Sequence, residues 1–120
     1  MVVDDTSVSR MLLVDGLTQI GITNVALAKD GEECLKAMMA APSHLVLSDF
    51  NMPKLDGLQL LRALREYTPT KQVGFILVTG RGDKTLIDQA RAFGLNNYLP
   101  KPFTVPSLKA TLEAVVRKLT

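Results

Sequence analysis

The chain has 120 residues, 47% of them apolar and 22% charged, with 14 Lys and Arg against 12 Asp and Glu. That length holds one domain, and the apolar share supports a core and rules out disorder; the scattered basic residues and the absence of Trp argue against direct nucleic-acid binding. A single cysteine excludes a disulfide framework within the chain, and no apolar run nears the roughly 20 residues of a membrane-spanning helix, so a soluble cytoplasmic protein is expected.

Met1 to Val3 reads as the first strand. Strands usually run about five or six residues, so this one is expected to be truncated at its N-terminus. After Asp4 and Asp5, a helix is predicted from near Thr6 or Ser7 to Gly21, with Leu13, Leu17 and Ile20 on one face. A second strand, Val25 to Ala28, leads to Asp30, which stands three residues before Glu33; that capping-box spacing opens a helix ending near Ala41, before Pro42. Cys34, Met38 and Met39 read as the packed face of this helix, and His44 as a loop residue.

Leu45 to Phe50 forms the third strand, and Asp56 with Gln59 repeats the capping device ahead of a helix that buries Leu58, Leu61 and Leu64. Val73 to Thr79 is the fourth strand; Asp83 caps the following helix and Gly94 closes it. Asn97 to Leu99 is the fifth, followed by a helix from near Pro106 to Lys118 with Leu108, Leu112, Val115, Val116 and Leu119 as its apolar stripe. Five strand-helix units without repeat or linker predict one α/β domain, a parallel sheet flanked by five helices over residues 1–120.

In open α/β sheets the ligand site lies beyond the carboxyl ends of the strands. Asp4 and Asp5, Asp49, Thr79 and Lys101 fall there, after four different strands. Carboxylates gathered at one edge repel, at roughly 4 kcal/mol for charges about 4 Å apart in an effective dielectric near 20, so a cation is the natural compensation. Oxygen ligands favour Mg²⁺ over zinc or copper, and Mg²⁺ commonly shares its shell with a phosphate oxygen. Lys101 would supply fixed positive charge to that phosphoryl group and Thr79 a hydroxyl donor.

The segments VVDD at Val2 to Asp5, LVLSDFNMPKLDG at Leu45 to Gly57, VTG at Val78 to Gly80 and YLPKPF at Tyr98 to Phe103 together resemble the receiver domains of two-component response regulators, of the single-domain chemotaxis type. The resemblance covers essentially the whole chain and implies a doubly wound five-stranded sheet in the order 2-1-3-4-5. It makes Asp49 the acceptor of a phosphoryl group from a sensor histidine kinase of the chemotaxis type, and the protein a switch rather than an enzyme. It implies that Asp5 and Asp49 bind Mg²⁺ with the backbone carbonyl of Asn51, that Asp4 acts largely through water, and that Lys101 pairs with the phosphoryl group. Thr79 and Tyr98 become the switch residues, the Lys101–Pro102 bond is cis, and the fourth helix, fifth strand and fifth helix form the output face. Gly80 is expected to keep the approach to the phosphoryl group open, with Arg81 and Asn51 tuning its hydrolysis.

A monomer that binds a flagellar motor switch is the expected arrangement. The alternatives within the class are a phosphate sink, a relay protein or a receiver excised from a larger regulator. A phosphatase of the haloacid dehalogenase type is disfavoured, because that family wants an Asp-x-Asp pair early in the chain and Asn51 stands two after Asp49. A receiver without phosphorylation is disfavoured by the complete acidic set.

Overall fold

A computed structural model describes residues 1–80 and 84–119, the last three as backbone only. Five strands, β1 (Val2–Val3), β2 (Leu27–Ala28), β3 (Leu45–Asp49), β4 (Gly74–Thr79) and β5 (Asn97–Pro100), alternate with α1 (Ser7–Ile20), α2 (Gly31–Ala40), α3 (Gly57–Glu66), α4 (Lys84–Ala92) and α5 (Val105–Leu119). All strand pairs are parallel, in the order β2-β1-β3-β4-β5. The order reverses at β1, so the crevice beyond the ends of β1 and β3 is the topological switch point of the sheet.

The central strands are buried on both faces, which is why they read as unbroken apolar runs rather than alternating ones. Successive side chains still part company. Val3, Val46, Phe75 and Leu77 join one core with Cys34, Met38, Leu60, Leu64 and Leu86, while Val2, Leu47, Ile76 and Val78 join the other with Leu13, Leu17, Leu108 and Leu112. Burial raises the Cys34 thiol to about 12, so it packs as a small neutral group.

Several expected boundaries shift for local reasons. β2 is two residues rather than four, because it pairs with β1, which is itself only two residues long. Phe50 leaves β3, β4 starts at Gly74 rather than Val73, and β5 extends to Pro100. In α3 the buried leucines are Leu60, Leu61 and Leu64, with Leu58 only half-buried. Met39 and Val116 are exposed, each one residue past a buried neighbour and so turned off the sheet by the helical period. A 3-10 turn at Thr68–Thr70 was not legible; buried Thr70 donates its hydroxyl to the Leu64 carbonyl at 2.7 Å. The expected cap at Asp83 and the side chain of Leu119 lie outside the described residues.

Among the described residues three helix starts carry side-chain capping, whereas Thr6 caps α1 without a side-chain bond to the helix. Asp56 and Gln59 form a reciprocal box at 2.8 and 2.9 Å. Asp30 accepts from the Glu33 amide, but Glu33 reaches back to Lys29 rather than to Asp30. Thr104 and Ser107 exchange bonds across Val105 and Pro106 in the first turn of α5. Arg65 ties the far end of the sheet: its guanidinium donates to the carbonyls of Gly94 and Lys71 and to Asn96 Oδ1, which also accepts from the Phe75 amide.

Gly57 sits where α3 meets the end of β3. A Cβ there would come within 2.6 Å of the Asp49 carbonyl and 2.8 Å of Leu77 Cδ1, and the Gly57 amide donates to the Phe50 carbonyl at 2.9 Å. Gly80 differs, since its Cβ would meet only Lys101 at 3.8 Å, ordinary contact. Gly57→Ala is therefore expected to lose about 1–3 kcal/mol in urea unfolding, because backbone cannot yield as a side chain does. Gly80→Ala is expected to stay within about 0.5 kcal/mol of the parent; equal losses in the two variants would contradict the packing argument.

Candidate phosphoryl and cation site

Four of the residues singled out from the sequence meet at the carboxyl edge of the sheet. Asp4 follows β1 directly and is fully buried, and Asp49 ends β3 at 9% exposure. Asp5 is exposed beside them, and one carboxylate oxygen from each of the three lies within 4.8 Å of the others. Lys101, just past β5, places its Nζ 3.1 Å from Asp49 Oδ1 and 3.6 Å from Asp4 Oδ2.

The backbone fixes these positions. The Asp4 amide donates to the Ala28 carbonyl at 3.2 Å, and the Phe50 amide to the Val78 carbonyl at 3.3 Å, so both acids are pinned to neighbouring strands. The Lys101 amide donates to the Thr79 carbonyl at 3.0 Å, which sets the lysine beside the buried threonine. The Lys101–Pro102 peptide is cis, as the resemblance implied.

The two buried carboxylates are satisfied differently. Asp4 Oδ1 accepts from the Thr6 amide at 3.0 Å and the Thr6 hydroxyl at 3.2 Å, a local turn that leads into α1. Asp4 Oδ2 is buried without a hydrogen bond, Lys101 standing within ion-pair range but beyond donor distance. Asp49 Oδ1 accepts from the Phe50 amide at 2.9 Å as well as from Lys101. Burial pushes the Asp49 carboxyl above its ordinary value; Lys101 and the Phe50 amide pull it back, and Asp4 adds to the rise.

These oxygens fit a hard divalent cation. Three carboxylates converge and one buried oxygen lacks a donor, while among the described residues Lys101 alone stands within ion-pair range of Asp4 and Asp49. Asn51 is exposed two residues beyond Asp49 on the loop that leads to Gly57. Tyr98 is half-buried on β5, opposite Leu77, and packs against the core beneath α2, α3 and α4. Arg81 lies outside the described residues.

Two contacts were missed in the sequence. Ser9 Oγ accepts from Lys101 Nζ at 3.1 Å, and Arg10 Nη1 donates to the Asp4 carbonyl at 2.6 Å. Ser9 lies in the first turn of α1, four residues after Asp5, which precedes the helix and its cap Thr6.

A family model described as the response regulator receiver domain matches residues 1–113. A relative named "Probable chemotaxis protein CheY", from Rhizobium etli, is 49% identical over 115 residues, spanning 96% of this chain and 89% of its own. Among solved structures, chemotaxis protein CheY4 of Vibrio cholerae superposes with a TM-score of 0.88 at 29% identity, over 95% of this chain and 94% of that one. The receiver domain of sensor histidine kinase PA1611 from Pseudomonas aeruginosa, with a magnesium ion coordinated in its active site cleft, gives 0.86 at 25% identity over 97% and 94%.

A raised carboxyl value means that ionised Asp49 weakens the fold. The stability of its protonated form is fully present below the ordinary carboxylate value of about 3.9 and is lost as pH rises through the raised one. Asp49→Asn is expected to melt above the parent in metal-free buffer at neutral pH, the gap narrowing as the solution is acidified. Thermal melts in a chelator check this, and a variant melting at or below the parent at neutral pH would contradict it.

Proposed function

Since this chain belongs to the family of response regulator receiver domains and its relatives are chemotaxis proteins, we propose that it is a chemotaxis signalling switch that carries its phosphoryl group on Asp49. The observation that carries this reading is the convergence of Asp4, Asp5 and Asp49 around an orphaned buried oxygen, with Lys101 Nζ 3.1 Å from Asp49. An Asp49 carboxylate oxygen attacks phosphorus, the phosphorus–nitrogen bond of the kinase's phosphohistidine breaks, and the imidazole leaves with the electron pair and takes a proton. Lys101 holds positive charge where negative charge gathers on the transferred oxygens.

Asp5 and Asp49, with the Asn51 carbonyl, are the residues that would hold Mg²⁺, and Asp4 would act largely through water. When bound, the ion neutralises the acidic set and orients phosphoryl oxygens. The PA1611 receiver supports this assignment, as does the oxygen-only donor set.

The partners we assign are a sensor histidine kinase and an output protein of the flagellar motor type. Val8, Met11 and Leu12 leave α1 apolar at its exposed face, 50 to 73% accessible, beside the acidic site where a phosphodonor must seat. The output surface is α4, β5 and α5. A phosphoryl group on Asp49 draws Thr79 toward it, and the backbone bond from Lys101 to Thr79 carries that shift to β5 and Tyr98. Among the described residues no helix is long and apolar enough to cross a membrane.

Incubation with acetyl phosphate and Mg²⁺, followed by intact mass, is expected to add one phosphoryl group to the parent and none to Asp49→Asn. Equal uptake by both would refute Asp49 as the acceptor. Mg²⁺ alone should raise the melting temperature of the parent, since a ligand that binds only the folded state stabilises it. Asp5→Asn is expected to lose most of that rise, and an undiminished rise would remove Asp5 from the ligand set.

A further inference from the structure

Lys101 has a third partner besides the two acids. Its ammonium carries three N–H donors. Asp49 Oδ1 and Ser9 Oγ each stand 3.1 Å from Nζ, and Asp4 Oδ2 stands at 3.6 Å. Two of these oxygens belong to the acidic site and the third to the first turn of α1.

The other flank of the lysine is open. Its side chain is 28% exposed and lines a cleft of about 570 Å³ with Ser9, Leu12, Asp15, Phe103 and Val105. A four-carbon stem loses considerable rotamer freedom when held in one geometry. Asp15, in the same cleft, offers a rival carboxylate.

We infer that Ser9 is a positioning residue: its hydroxyl holds the Lys101 ammonium over Asp49 and keeps it out of the cleft. The inference rests on the phosphoacceptor reading above. A neutral acceptor suits the task, because a fourth carboxylate would deepen the repulsion already present. Being uncharged, it leaves the lysine's positive charge free to act on the phosphoryl oxygens that arrive at Asp49.

The test compares the parent with Ser9→Ala and Ser9→Thr. One readout is the rate of phosphoryl uptake from acetyl phosphate with Mg²⁺. The other, without donor or metal, is the NMR signal pair of the Lys101 ε-methylene protons, which separate when the side chain is held in one rotamer and merge when it samples many. Ser9→Ala is expected to slow uptake about tenfold, a fraction of the roughly 10²-fold that a 1 Å misplacement can cost, and to merge the ε-methylene signals. Ser9→Thr keeps the hydroxyl and should restore most of the rate and the separation. Either readout staying at the parent value in Ser9→Ala, or equal losses in the two variants, overturns the inference. If the parent itself takes up no phosphoryl group, that failure belongs to the phosphoacceptor reading, and the Lys101 signals alone decide the positioning of the lysine.

Discussion

Asp4 and Asp49 end adjacent central strands, so two carboxylates with little or no access to water share one crevice. Like charges brought together in a medium of low polarity repel far more strongly than in water, and each has lost hydration as well. The remaining features of this edge respond to that constraint. Thr6 satisfies one oxygen of Asp4, the Phe50 amide serves Asp49, and Lys101 reaches between the two acids. The balance stays incomplete, with one Asp4 oxygen lacking a hydrogen bond and the Asp49 carboxyl held above its ordinary range. A site left short of positive charge is poised to gain from a cation, and this is the electrostatic basis for its reading as a cation-assisted phosphoryl acceptor.

The scaffold keeps this unfavourable cluster from relaxing. Gly57 lets α3 start hard against the Asp49 and Phe50 backbone, where any larger residue would collide. At the opposite end Arg65 fastens α3 to the loops that bracket β4 and β5, with Asn96 linking its guanidinium to the Phe75 amide. Burial lowers the affinity of that guanidinium for its proton without discharging it, and its carbonyl partners suit a retained charge. Between these clamps, β4 and β5 present Thr79 and Lys101 side by side through a backbone bond, so a displacement of one is felt by the other.

The division between legible and hidden features follows sequence distance. Capping chemistry is local, and Asp56 with Gln59 formed the expected box within three residues. Asp30 and Glu33 have the same spacing, yet Glu33 chose the Lys29 amide, because the spacing does not dictate which nearby N–H the carboxylate finds. The 3-10 turn at Thr68–Thr70 depends on a buried threonine hydroxyl reaching Leu64, which no periodicity announces. Met39 and Val116 carry the same apolar character as their buried neighbours, and only the placement of the helix on the sheet turned them outward.

The sequence by itself determined the alternation of strands and helices and the delivery of Asp4, Asp5, Asp49, Thr79 and Lys101 to one edge. In a parallel sheet every strand ends on the same side, so residues just after strands gather there whatever else the chain does. Only the tertiary structure decided how those groups divide their partners: which Asp4 oxygen is left without a donor, that Lys101 stands within ion-pair range of both acids, and that Ser9 takes one of the lysine's donors from across 92 residues of chain. Such choices turn on tenths of an ångström between atoms brought together by packing, and spacing along a sequence carries no measure of that distance.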